Sequence, residues 1–167
     1  VVDGADEWTT FISPTPLGTN QGEQFSGYTD QISASQAPGA YNSSLSLELS
    51  VSTSGAEIRY TTDGGNPGPG SDLYSTKINI GDPTTIKARA FKDGQFISPV
   101  FTGSYIIGDH DLPVVCITTE PGNLWDGETG IYTPGAHADE GGRIANYWNN
   151  WERPAHIELY EPDGDAS

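Results

Sequence analysis

The stretch Thr84-Thr85-Ile86-Lys87-Ala88-Arg89-Ala90-Phe91 sets Ile86, Ala88 and Ala90 on one side and Lys87, Arg89 and Phe91 on the other. A period of two is what a half-buried β-strand requires. The same alternation appears on either side of it: in LSLELSV (45–51) through Leu45, Leu47, Leu49 and Val51, in EIRYTT (57–62) through Ile58 and Tyr60, and in VFTGSYII (100–107) through Phe101, Tyr105 and Ile107. Fainter strands are expected at QISAS (31–35), STKINI (75–80) and QFIS (95–98). Turn signals lie between them at Asp63-Gly64-Gly65, Gly81-Asp82-Pro83 and Asp93-Gly94. Seven short strands at this spacing predict an all-β protein, an immunoglobulin-like seven-strand β-sandwich over residues 25–107.

The composition fits. The 167 residues include 21 Gly and 12 Pro, a loop-rich balance short of low complexity. A net charge of −16 excludes a nucleic-acid binder that works by neutralising phosphate. The charge is uneven along the chain. Residues 1–24 carry four acids and no base, residues 25–107 seven acids and five bases, and residues 108–167 twelve acids and two bases. This break near Ile107 divides the chain into a leader and linker (1–24), the sandwich (25–107) and a small, partly irregular β extension (108–167). No apolar run approaches the ~18 residues of a spanning helix, so no membrane insertion is expected. The lack of Met marks the chain, as an expectation, as a processed or excised piece of a longer polypeptide.

In the middle segment Pro38-Gly39-Ala40-Tyr41, GAEIRYTTDGGNP (55–67), Tyr74, TTIKARAFKDG (84–94) and Ser98-Pro99-Val100 follow one another in register. The segment thereby resembles the fibronectin-type-III-associated domain found at the C-terminus of chitobiases and β-hexosaminidases. The resemblance implies a non-catalytic appendage. The runs DLPVV (111–115), NLWDGETGIY (123–132) and WERPAHIELYEPDG (151–164) resemble the beginning of a spore-coat CotH kinase-like domain over about 112–167. The catalytic residues of that family lie downstream of this segment, so none is carried onto this chain. Residues 1–20, with Trp8, Phe11 and the turn Pro14 to Asn20, resemble the end of a bacterial lamin-tail-like domain. Its closing strand is expected to be orphaned from its sheet.

Each chemistry-bearing residue also has a structural reading. Asp63 before two glycines is read as a turn former, because a short carboxylate accepts backbone N–H groups two residues on. Cys116, the single cysteine, is expected in a strand core rather than as a nucleophile. His110, His137 and His156 lack the spacing of a zinc site. Calcium is the favoured metal, with Asp109 and Asp111, Asp126 and Glu128, and Asp163 and Asp165 as candidate pairs, set against a solvated acidic surface. Trp148 and Trp151 are candidates for stacking on a ligand, set against core packing. Asn42-Ser43-Ser44 is a formal glycosylation sequon.

The expected role is a non-catalytic structural or spacer segment of a secreted or cell-surface multidomain protein, with the neighbouring domains of the same polypeptide as partners. Two alternatives stay open. One is an adhesion module that binds polysaccharide or protein and is calcium-stabilised or fibre-forming. The other is the entrance part of an atypical CotH-type kinase.

Overall fold

In a computed structural model of the chain, residues 10–11, 24–134 and 146–162 are described. Strand β1 (Thr10–Phe11) pairs antiparallel with β2 (Gln24–Phe25). The leader strand, expected to be parted from its own sheet and either disordered or paired elsewhere, pairs with the end of its linker. Trp8, His137, Asp163 and Asp165 lie outside the described residues.

The sandwich begins with β3 (Ser33–Ala34) and β4 (Gly39–Tyr41). Pro38 sits between them, and a residue without a backbone donor interrupts pairing and lets the chain change sheets. Next come β5 (Leu45–Leu47) and β6 (Leu49–Ser50), which form one strand broken at Glu48. At the break Ser35 bonds both ways: its Oγ accepts the Glu48 N–H at 2.9 Å, and its own N–H donates to the Glu48 carbonyl at 2.9 Å. The remaining sandwich strands are β7 (Glu57–Thr61), β8 (Asp72–Leu73), β9 (Ile78–Ile80), β10 (Thr84–Phe91) and β11 (Phe101–Ile107). One sheet has the order β4-β11-β10-β7-β8, with β4 parallel to β11 and the other pairs antiparallel. The facing layer is made by β3 with β6 and β5 with β9.

Between the layers Ile32, Leu47, Leu49, Ile80, Ile86, Ala88, Ala90 and Tyr105 are buried as one cluster. The alternation of β10 is thus realised, with Ile86, Ala88 and Ala90 in the core. Three expectations shift. QFIS (95–98) is not a strand: Phe96 makes only an isolated bridge to Tyr28, and Ser98 Oγ accepts the Ala90 N–H at 2.8 Å where a ladder carbonyl would otherwise do so. The faint strands at 31–35 and 75–80 shrink to β3 and β9. Lys87, on the outward side of β10, is buried.

Its cover is the last segment. Strand β12 (Val114–Thr118) and strand β13 (His156–Tyr160) form an antiparallel ribbon. Helix α1 (Pro121–Trp125) and a 3-10 turn (Asn146–Trp148) belong to the connection between them. Proline in the first turn suits α1, because that position has no helical acceptor for its missing N–H.

Candidate functional site

The ribbon has two unlike faces. Its register sets Val115 opposite Leu159 and Ile117 opposite Ile157 on one face, and Cys116 opposite Glu158 and Val114 opposite Tyr160 on the other. The second face meets the sandwich and the first faces away, so Val115, Ile117 and Ile157 are 57%, 68% and 65% exposed. The expectation that Cys116 lies in an apolar strand core is therefore not met. It is half-buried at a polar joint, where burial pushes its thiol pKa up and a hydrogen bond with Ser104 partly opposes the rise. A thiol shifted upward is a poor nucleophile.

The joint is built on Ser104 of β11. Strand β4 pairs with β11 only from Tyr105 to Ile107, so it leaves the Ser104 backbone groups without a strand partner on that side. The ribbon supplies side chains instead. The Ser104 N–H donates to Glu158 Oε1 at 3.2 Å. The Tyr160 hydroxyl lies 2.8 Å from the same carboxylate oxygen and 3.2 Å from the Ser104 carbonyl, donating to one of them at a time. Tyr160 is fully buried, and burial first, then Glu158, holds its phenol pKa far above the usual value. Thr118 Oγ1 stands 3.5 Å from Thr85 Oγ1, at the edge of bonding distance.

At the other end of the joint Glu120 Oε1 accepts the Asn66 N–H at 2.6 Å. Gly64 allows this approach. Its φ is +87°, and a Cβ there would stand 3.0 Å from the Thr119 carbonyl oxygen. Asp63 makes the turn expected of it, with Oδ1 accepting the Gly65 N–H at 2.9 Å.

The candidate metal and stacking residues sit elsewhere. Asp126 Oδ1 accepts the N–H groups of Glu128 and Thr129 at 3.0 and 2.9 Å and lies 2.9 Å from the Thr129 hydroxyl. These bonds, led by that from the Thr129 backbone, hold its pKa below the ordinary range. Asp109 and Asp111 line a different surface depression, beside Tyr41 and His110. Among the described residues no three His, Cys, Asp or Glu side chains come together to hold a metal ion. The loop after α1 is fastened internally, since buried Asn146 donates through Nδ2 to the Glu128 and Gly130 carbonyls at 3.0 Å each. Trp148 is exposed beside Tyr147, with ring centroids 5.4 Å apart, and Arg153 lies over the Trp151 ring at 5.0 Å. Asn42, of the sequon, is exposed on the turn after β4.

Sequence reasoning missed Ser104, Glu158 and Tyr160 as a group. The available signal was the run His156, Glu158, Tyr160 on one side of a strand whose other side is Ile157 and Leu159.

No curated protein and no solved structure matches the chain. Residues 36–102, inside the sandwich, match the family model of the chitobiase/beta-hexosaminidase C-terminal domain, an immunoglobulin-like module that is not itself catalytic.

Proposed function

We propose that this chain is a structural segment of a larger secreted or cell-surface protein, in which the sandwich spaces neighbouring domains and the β12–β13 ribbon begins the next one. The observation that carries this reading is the two-faced ribbon. Its polar face is bonded to the sandwich through Glu158 and Tyr160, and Glu120 just after β12 adds a third bond, while Val115, Ile117 and Ile157 face outward. An apolar sheet face in water costs about 25 cal/mol per Å² left uncovered, so it is suited to packing against further polypeptide. The neighbour we propose is the remainder of a CotH-like domain, on the resemblance read in the sequence of residues 112–167. A ribbon bonded at both ends of one sheet transmits orientation between modules, whereas a flexible linker does not.

The N-terminal edge of the sandwich, with which the leader pairs through β2, is fastened by similar means. Ser26 and Thr29 donate backbone N–H groups to the Gly94 and Phe96 carbonyls, at 2.8 and 2.9 Å, and Phe96 stacks between Phe25 and Tyr28 at 4.2 and 5.0 Å. Both ends of the sandwich are thereby tied to their flanks.

A second reading, adhesion to polysaccharide, is favoured by the exposed rings of Tyr147 and Trp148. Retention of the chain on insoluble polysaccharides separates the two. The spacer reading predicts no retention. Retention that is lost on Trp148→Ala and Trp151→Ala would replace it with the adhesion reading.

A further inference from the structure

Lys87 stands on the outer side of the central strand β10, where alternation alone would leave it in water. Under the ribbon it is only 6% exposed. Its Nζ has one hydrogen-bond partner among the described residues, Asn66 Oδ1 at 3.2 Å, and no described carboxylate forms an ion pair with it. Asn66 is anchored in turn by the bond from its backbone N–H to Glu120. Amine, amide and carboxylate line one open depression of about 190 Å³, together with Asn123 and His156, and Asn66 itself is exposed while Lys87 is buried.

Two facts direct the chemistry of this trio. A buried ammonium with one neutral partner is held at a cost that disappears if the group becomes a neutral amide. Asn66 is followed by Pro67, which is fully buried and whose nitrogen carries no hydrogen. The common route by which asparagine loses ammonia, attack by the next backbone N–H nitrogen on its side chain, is therefore closed. The side-chain nucleophile held against the amide is Lys87 Nζ.

We propose that Lys87 and Asn66 become joined by an intramolecular amide bond. Nζ attacks Asn66 Cγ, a C–N bond forms, the Cγ–Nδ2 bond breaks and the amide nitrogen departs. Starting from the lysine ammonium and the carboxamide, the products are a secondary amide and one ammonium ion. Atoms and charge balance, and no oxidant or co-reactant enters. Glu120, the carboxylate lining the same depression but beyond ion-pairing distance of Nζ, takes the proton Nζ sheds and passes it to the leaving nitrogen through one intervening water, the work of a general base and then a general acid. Holding both partners in one fixed geometry replaces an encounter that is slow in solution. The link would tie the middle of β10 to the turn after β7, under the ribbon.

Intact-mass spectrometry of the purified full chain tests this. The expected mass is one ammonia below that of the sequence. After trypsin, Asn66 and Lys87 should appear in a single branched peptide, with no cleavage after Lys87. Lys87→Arg keeps a long cation under the ribbon, and Asn66→Ala removes the acceptor; each should restore the full sequence mass. Glu120→Gln keeps an acceptor for the Asn66 N–H but cannot relay a proton, and should slow formation about a hundredfold. A parent chain that is folded by circular dichroism, carries its full sequence mass and is cut after Lys87 would overturn the proposal. So would loss of ammonia located at any other residue. Formation at an unchanged rate in Glu120→Gln would overturn the part given to Glu120.

Discussion

In β10 the residues Ile86, Ala88 and Ala90 point into the molecule and are wholly buried, whereas in β12 Val115 and Ile117 point away from the sandwich into water. Both strands read as apolar alternations. In the sandwich the apolar side is the adhesive one, and stability comes from area removed from water. In the ribbon the polar side is the adhesive one, and attachment comes from a few hydrogen bonds to backbone groups that the sandwich leaves unpaired. The difference teaches that one periodicity serves two purposes, closing a core or presenting a surface.

The comparison breaks first at the core. Leu47→Ala or Ile86→Ala, each at a site with no exposure, should lower unfolding free energy by about 2–5 kcal/mol in denaturant titration. Ile117→Ala, at a position 68% exposed, should stay within about 0.5 kcal/mol. Equal losses would mean that the outward face of the ribbon is part of the core of this chain.

The joint should respond less than the core. Glu158→Ala leaves the buried Ser104 N–H without its acceptor and the Tyr160 hydroxyl with the Ser104 carbonyl alone, which costs about 1–3 kcal/mol. Proteolysis of the ribbon should then quicken while the sandwich stays resistant. Cleavage at unchanged rates would sever the link drawn between Glu158 and attachment.

Alkali offers a gentler probe. Tyr160 and Tyr105 both have phenol pKa values raised chiefly by burial. With folded values above the unfolded one, their contribution is fully present below about pH 10 and is lost as the pH rises past it. Tyr160→Phe should blunt this loss in thermal melts run across that range. The smallest effect is expected from acid on the Asp126 turn. Its folded pKa is depressed, so its contribution exists above about pH 4 and fades as the pH falls through the folded value. Faster exchange of the Glu128 and Thr129 amides in acid would register it, and Asp126→Asn should remove the pH dependence.

The sandwich was legible because its signals are local. Ile86, Ala88 and Ala90 alternate within one strand, and Asp63-Gly64-Gly65 is a turn on its own chemistry. The joint was not, because a two-stranded ribbon has two faces and its own sequence does not say which one meets a neighbour. Val115 and Ile117 point outward only because Ser104, eleven residues before Val115, ends up beyond the reach of β4. That is a fact of pairing between distant segments. Lys87 follows the same logic: alternation sends it outward, and residues 118–120 and 154–156, some thirty and seventy positions later, close around it. The acidic pairs at 109–111 and 126–128 lie apart in space: Asp126 Oδ1 closes a turn, while Asp109 and Asp111 line a separate depression.

The central claim is that Glu158 fastens the ribbon by accepting the Ser104 N–H, and hydrogen exchange of that one amide tests it most directly. Protection of the Ser104 amide comparable to that of Ile86 in the parent chain, lost in Glu158→Ala while Ile86 remains protected, is the predicted result. A Ser104 amide that exchanges freely in the parent, or one that stays protected without Glu158, would contradict it.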